Sequence, residues 1–378
     1  MKIGIDARMY GPRVGGGGLG RYVSELVDHL QALDQENEYV LFLKKENFHE
    51  CVITNPKFYK HLVDVHWYGI KEQIAMKKEA ARARVDFMHY PHWNVPIFSR
   101  VPFLVTVHDL ILLEDRHSAR SSTRSGLVHG FKYAAFRTVL ENAIHRSAHI
   151  LTVSEYSKKR ILKHFGVKPE KISVVHNGII PARETTGISL SQLGVYEPYF
   201  LYVGNAYPHK NLQMMLEAFA EVIPRHPAVQ LVIAGKRDIF SGDLEERAKE
   251  LGIPSVNLRF VDLPSDEEIA TLYRNTSLFV YPSRIEGFGM PPLEAMSYGA
   301  PVVAARASSL PEVLGDHVEY FELDDVDALS KYMHVAVEYP TRLKRHQASG
   351  IKHAESYTWK KTAQQTLNVY KQFPSLKN

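Results

Sequence analysis

The stretch Ser283-Arg284-Ile285-Glu286-Gly287-Phe288-Gly289-Met290-Pro291-Pro292-Leu293-Glu294-Ala295-Met296 holds two carboxylates, Glu286 and Glu294, with seven residues between them, across a turn that runs into a helix. Gly287 and Gly289 let the backbone approach a ligand closely, and the Pro291-Pro292 pair suits the first turn of a helix, where a missing N–H costs nothing. Glu294 is then expected in that first turn. Free amides and the positive end of the helix dipole attract phosphate there, while a nearby carboxylate accepts hydrogen bonds from vicinal hydroxyls. One loop of this composition can grip a diphosphate, a ribose and a hexose.

Taken singly, either carboxylate is explained by solvation at the surface. The whole string is more specific. With Gly287-Phe288-Gly289 inside it and Gly299-Ala300-Pro301-Val302-Val303 downstream, it resembles the Glu-x7-Glu signature of family 4 of the retaining, GT-B glycosyltransferases. The resemblance implies that Glu286 lies near the donor hexose, that Glu294 binds the nucleotide ribose, and that Gly287, Phe288, Gly289 and Met290 line the donor between them.

At 378 residues the chain has room for two domains, each with its own core. No apolar run approaches the roughly 18 residues of a membrane helix. Asp6 and Arg8 interrupt the apolar start, so a signal peptide is not expected and the expected location is the cytoplasm. Cys51 is the single cysteine, which excludes an internal disulfide framework and a cysteine-based zinc site. A net charge of +4 is too small to imply nucleic acid. Its distribution is uneven: Lys71, Lys77, Lys78, Arg82 and Arg84 form one basic stretch, and Arg116, Arg120, Arg124, Lys132, Arg137 and Arg146, interleaved with Phe131, Tyr133 and Phe136, form another. These are either solvated helix faces or a surface for anionic lipid headgroups, the inner face of a membrane being the candidate.

Short apolar runs alternate with helical periodicity twice over, the pattern of two α/β units with parallel sheets. Strands are expected at 2–6, 39–43, 62–67, 86–90, 102–107, 149–153 and 172–175, then at 199–203, 229–234, 258–261, 278–281, 302–304 and 318–321. Val23, Leu26, Val27, Leu30 and Leu33 mark one face of a helix. The turn-rich segment from Asn177 to Gly187 is read as the linker. The expected domains are residues 1–180 and 181–356, with a helix over 357–378 that in GT-B proteins crosses back to the first domain.

Gly15-Gly16-Gly17-Gly18-Leu19-Gly20 matches G-x-G-x-x-G on paper. A dinucleotide fingerprint needs the glycines directly after the strand, and here eight residues intervene after Asp6, which disfavours an NAD-dependent oxidoreductase. Glycines at a helix start still expose N–H groups that hold phosphate oxygens. By resemblance, Gly17 and Gly18 face the donor diphosphate.

His108 follows the apolar strand ending at Val107, at the carboxyl edge where α/β proteins bind ligands; the resemblance places it beside the transferred sugar, with Asp109 orienting the loop. Lys210, in Gly204-Asn205-Ala206-Tyr207-Pro208-His209-Lys210-Asn211, offers a compact positive charge to the donor phosphates. Many family members carry Arg after that glycine and a second basic residue before the lysine. Asn205 and His209 stand there instead, a departure from the family's diphosphate cation set for which Lys236 or Arg237 is the candidate replacement, Arg237 preferred. Leu263 falls where the family contacts the nucleobase through backbone. Asp325-Val326-Asp327 satisfies D-x-D, a mark of metal-dependent enzymes of another fold, yet its position suits a helix cap.

The expected architecture is therefore GT-B, two Rossmann-like α/β domains facing a cleft. The glycine loop, His108-Asp109 and Pro208-His209-Lys210-Asn211 together resemble bacterial family 4 enzymes that build surface polysaccharides, often mannosyltransferases, and the resemblance implies transfer of a hexose, mannose favoured, from a GDP- or UDP-sugar to a saccharide hydroxyl, with retention and without cofactor or metal. His108, Glu286 and Lys210 are the catalytic candidates, and a lipid-linked saccharide is the expected acceptor. A GT-B epimerase and a non-catalytic sugar-nucleotide sensor are the other readings; the paired carboxylates argue against the first, and Glu286 with His108 against the second.

Overall fold

A computed structural model describes residues 1–115, 126–182 and 187–376. Arg116, Arg120 and Arg124 of the second basic stretch, and 183–186 of the expected linker, lie outside the described residues. Among the described residues the chain divides into two compact units: 1–114, 126–178 and 358–376 form one, and 179–357 with Asp115 the other.

The first unit is a seven-stranded sheet of β1 (Lys2–Asp6), β2 (Glu38–Leu43), β3 (Phe58–Leu62), β4 (Phe87–Tyr90), β5 (Phe103–Val107), β6 (His149–Thr152) and β7 (Ile172–Val174), in the order β3-β2-β1-β4-β5-β6-β7. The second is a six-stranded sheet of β8 (Tyr199–Val203), β9 (Gln230–Gly235), β10 (Leu258–Asp262), β11 (Leu278–Tyr281), β12 (Val302–Ala305) and β13 (Glu319–Phe321), ordered β10-β9-β8-β11-β12-β13. All pairings are parallel. Both sheets repeat the doubly wound order in which the strand sequence reverses beside the first strand, and ligands of such sheets bind at that reversal, outside the carboxyl ends. The reversals fall between β1 and β4 and between β8 and β11.

The helix Gly17–Leu33 buries Val23, Leu26, Val27 and Leu30 at 1% exposure or less, each worth roughly 1.5–3 kcal/mol of transfer free energy. The last helix, Trp359–Leu376, packs on it within the first unit. Tyr370 hydrogen-bonds His89 Nδ1 of β4 at 2.5 Å, and Thr362 donates to the His176 carbonyl at 2.8 Å.

One strand is displaced from its expected place. The run 62–67 begins where β3 ends, because β3 is the sheet edge: Tyr59 and Leu62 are 49% and 52% exposed, and the alternation reads as polar. Val63 adds one more rung to Leu43 at 2.7 Å, and Val65 then turns back onto Val63.

Candidate functional site

At the reversal of the second sheet, the loops after β8 and β11 meet. Lys210 closes the short helical turn Pro208–Lys210, and Asn211 adopts φ 58°, left-handed backbone that Asn tolerates well, before the helix Leu212–Val222 begins. Across from it, Glu286 Oε1 accepts from Lys210 Nζ at 2.7 Å. Both side chains are largely buried, 13% and 9% exposed. Burial alone would raise the Glu286 pKa, but Lys210 and His209 hold the carboxyl below its ordinary value. His209 itself is buried and pushed down to about 4, by desolvation first and by Lys210 second. It is neutral at pH 7, so it does not replace the missing cation of the family pattern.

The loop carrying Glu286 is fastened from three sides. Its N–H donates to Ser308 Oγ at 2.9 Å; the buried Ser309 hydroxyl lies 3.0 Å from the Glu286 carbonyl and 3.1 Å from that of Phe288. Arg284 spans the two loops, with its N–H on the His209 carbonyl at 2.8 Å and its guanidinium on Asp324 and the Asn211 side-chain oxygen at 2.7 and 3.0 Å. Arg284, Ser308, Ser309 and Asp324 were invisible to motif reading: the first lies inside the quoted string, but its partners come from loops 40 and more residues away.

Gly289 precedes the helix Met290–Ser297 with φ 92°, and a Cβ there would sit 2.7 Å from Leu310 Cδ2. This glycine is required. Pro291 and Pro292 occupy the first turn, so Gly289 and Met290 supply the amides of this helix end. Glu294, expected in the first turn, is the fifth residue of the helix and lies in the second turn, because the helix starts at Met290. The dipole does not hold it there; the Tyr273 hydroxyl donates to its Oε2 at 3.3 Å.

The remaining candidates of this unit line the same sheet edge with different commitments. Asn205 follows Gly204, its backbone carbonyl accepts from the Tyr202 hydroxyl at 2.8 Å, and its side-chain oxygen is buried without a hydrogen-bond partner. Gly235, at the end of β9, has φ 157° and would drive a Cβ to 2.1 Å from the Gly204 carbonyl. Arg237, beyond it, is paired with Glu245 and lies over the Phe260 ring at 5.0 Å. Leu263 has φ 45° and is 69% exposed past β10. Asp325 caps the helix Val326–Glu338, accepting from Ala328 N–H at 2.9 Å.

In the first unit, Gly16, Gly17 and Gly18 are exposed at the start of the helix Gly17–Leu33, while Gly15 and Gly20 are packed against the carbonyls of Met9 and Gly11, where a Cβ would come within 2.1 and 2.2 Å. Two glycines of the run thus shape the loop and three are presented. His108 lies after β5, its Nε2–H on the Pro91 carbonyl at 2.9 Å, edge-on to the Tyr22 ring. A carbonyl only accepts, so the proton is on Nε2 and Nδ1 carries a lone pair. Burial pushes the His108 pKa down to about 4, keeping it neutral. Asp109 turns its carboxylate to the Ile111 N–H at 3.0 Å, orienting the loop.

The reversal of this sheet holds a buried charge cluster that sequence reading missed. Arg8 bridges Asp6 at 2.7 Å and Glu72 at 2.5 Å; Glu72, fully buried, also takes Asn94 Nδ2 at 2.6 Å and the Tyr68 N–H at 2.8 Å. Arg8 Nη1 and His92 Nδ1 remain buried without hydrogen-bond partners, and both residues line a small cavity with Asp6 and Asn94. The only sequence signal is Asp6 and Arg8 themselves, charged residues closing a buried strand.

Family models match both halves: the Glycosyltransferase Family 4 model covers residues 16–183, and that of the glycosyl transferases group 1 covers 191–353. O-antigen chain mannosyltransferase B of Escherichia coli is 31% identical over 61% of this chain and 64% of its own length, just under two thirds of that relative. O-antigen chain mannosyltransferase RfbU of Salmonella typhimurium is 30% identical over 72% of this chain and 71% of its own. Among solved structures, HepE of Anabaena in complex with UDP and glucose matches with a TM-score of 0.75 over 98% of this chain and 99% of that one, at 17% identity, which establishes the GT-B fold. The chain belongs to family 4 of the glycosyltransferases.

Proposed function

We propose that the protein transfers a hexose from a nucleotide diphosphate sugar to a saccharide hydroxyl, with retention of anomeric configuration. The observation that carries this reading is the Lys210–Glu286 pair, 2.7 Å apart and largely buried at the reversal of the second sheet, beside the helix that Gly289 opens. A buried ion pair is an expensive way to hold a loop; a donor gives it work. Lys210 turns to the diphosphate, and Glu286, released, accepts from hexose hydroxyls. Glu294 accepts from the ribose, and the amides of Gly289 and Met290 donate to phosphate oxygens.

Chemistry then follows from charge. The bond between the anomeric carbon and the diphosphate oxygen breaks, and Lys210 with the helix-end amides stabilises the developing negative charge, an effect worth a few kcal/mol in preorganised sites. The acceptor oxygen bonds to the anomeric carbon from the face the leaving group vacates, and its proton passes to the diphosphate. In the first unit, taken by itself, the bare Nδ1 of His108 is placed to accept a hydroxyl, and the exposed Gly17 and Gly18 can offer amides to an anion. No cofactor or metal takes part in these steps.

Mannose and a polysaccharide-building role are supported by the names of the O-antigen chain mannosyltransferases, and a UDP-linked donor by the neighbour bound to UDP; a GDP-linked donor and a lipid-linked acceptor belong to the proposal alone. The helix Ile70–Arg82 supports contact with an anionic membrane: Ile70 and Ile74 are 82% and 65% exposed beside Lys71 and Lys78, with Phe98 72% exposed nearby under Lys77. Arg146 does not join such a face, since it is spent on the carbonyls of Ile97 and Ser99. Among the described residues no helix is long and apolar enough to cross a membrane.

The test is a thermal-shift panel of UDP, GDP, ADP, dTDP, their sugars and NAD, with and without EDTA, followed by NMR of the product anomer. Stabilisation by one nucleotide family that survives EDTA, with a retained anomer, is expected. A response to NAD alone, or an inverted anomer, refutes it.

A further inference from the structure

Two helices that begin at the candidate donor site converge again at their other ends. Leu212–Val222 starts after Asn211, and Val326–Glu338 starts beside Asp324, the partner of Arg284; the two pack together within the second unit. Beyond the first helix, the His226 N–H bonds back to the carbonyls of Val222 and Ile223 at 3.0 and 3.1 Å, which fixes its backbone. On the second, His334 and Glu338 are four residues apart and share a face.

The three side chains point their ligand atoms at one another, all within 4.8 Å. His226 Nε2 is 3.1 Å from His334 Nδ1 and 3.2 Å from Glu338 Oε1. That nitrogen of His226 carries at most one proton to share between them. Among the described residues Glu338 Oε1 is shielded from solvent and makes no hydrogen bond of good geometry, although Arg225 Nε lies 2.9 Å away. A converging, unsatisfied oxygen and two imidazole nitrogens are the donor set of a borderline divalent cation.

We propose that His226, His334 and Glu338 bind such a cation, Zn2+ foremost, with the fourth position left to water. Zinc takes nitrogen and carboxylate oxygen at about 2.0–2.2 Å in tetrahedral array, which sets neighbouring ligand atoms roughly 3.3 Å apart. Two of the three edges come within a few tenths of an ångström of that, and the third, between His334 and Glu338, lies within 4.8 Å and closes by side-chain rotation. Arg225 is the obstacle, and it is removable: its side chain is 68% exposed and leaves Glu338 for solvent when the ion enters. The site is separate from the donor groups. Helices of 11 and 13 residues put it roughly 15–20 Å from Lys210 and Asp324 at 1.5 Å per residue. Occupied, it pins the far ends of the two helices whose near ends carry the donor loops.

Protein stripped with EDTA is titrated with ZnCl2 by calorimetry, with melting followed by far-UV circular dichroism. One binding event per chain is expected, with a raised melting temperature, and both are lost in H226A and in H334Q. R225A removes the competing cation and is expected to bind more tightly than wild type, a change that adventitious histidine binding would not produce. Variants melting like wild type in EDTA show that the fold is kept. A wild-type titration indistinguishable from that of an H226A/H334Q double variant overturns the site. Neither result needs an activity assay, and failure here leaves the glycosyl-transfer reading untouched.

Discussion

Replacing Lys210 by Met should turn the candidate donor site from a paired to a strained one, with a pH signature of its own. In the native protein Glu286 is 7% exposed, and its carboxylate is held below the ordinary pKa by the ammonium at 2.7 Å against the opposing pull of burial. Without the ammonium the largest influence opposing burial is lost, and only the weaker pull of His209 and the Ser283 hydroxyl remains. Stranding one partner of a buried pair costs about 3–5 kcal/mol. Glu286→Gln is milder, about 1–2 kcal/mol, since the amide keeps a hydrogen bond and Lys210 can carry its charge outward. The double variant removes both charges, so the pairwise coupling should reach about 2 kcal/mol or more.

The sign of the pH dependence separates this from ordinary packing loss. A depressed carboxylate pKa gives stability that is present above the unfolded value, near 4.3, and is lost as pH falls through the folded one. In K210M the folded pKa is raised instead, so the folded state binds the extra proton and stability should increase from pH 7 to pH 5. The assay is urea unfolding read by far-UV circular dichroism, with tryptophan fluorescence in parallel. Trp67, Trp93 and Trp359 all belong to the first unit, so fluorescence should change little while the dichroism shifts. A K210M variant within about 0.5 kcal/mol of wild type, with additive effects in the double variant, would show the pair to be solvated and the reasoning wrong.

Gly289→Ala should destabilise the second unit by about 1–3 kcal/mol and abolish nucleotide-induced stabilisation, because φ 92° and Leu310 at 2.7 Å both oppose a Cβ; unaltered nucleotide shifts would refute the assigned role of this helix start. Acid should unfold the first unit early. Burial lowers His89 and His92 to about 3 and His108 and His149 to about 4, so the unfolded state binds more protons between pH 6.5 and 4, and stability falls across that window by up to roughly 1.4 kcal/mol per pH unit for each histidine. Tryptophan fluorescence in urea at pH 7, 6 and 5 reads it, and a flat midpoint contradicts it.

Most of the architecture was legible in the sequence because parallel strands buried on both faces are short apolar runs, and twelve of the thirteen strands overlap their expected ranges by nearly their full length. The exception, β3, is one of four edge strands, and its exposed Tyr59 and Leu62 with Lys60 and His61 between them leave no apolar run to read. Site residues separate in the same way. Lys210, Glu286 and Gly289 sit in local strings whose chemistry is readable in order. Glu294 was placed one turn early because prolines suit a first turn without fixing which residue begins it. Arg284 with Asp324, Ser309 with the Glu286 carbonyl, and Arg8 with Glu72 depend on partners 23 to 64 residues apart, and no local pattern encodes such a meeting.

The two sheets have the same strand order and differ in what their chains place at the reversal. In the first, Asp6, Arg8, Glu72 and Asn94 spend most of their hydrogen-bonding capacity on one another, and one cation lies between two carboxylates. That cluster has one more carboxylate than cations and leaves no ammonium for an incoming anion to compete for. In the second, Lys210 faces a single carboxylate, Arg284 is balanced by Asp324, and the helix opened by Gly289 turns its positive end to the same edge. An anion arriving there competes with one carboxylate for one ammonium and gains the helix end as well. Equivalent topology therefore predicts where each unit can bind, and the charge at each reversal supports the proposal that the nucleotide diphosphate is held by the second unit.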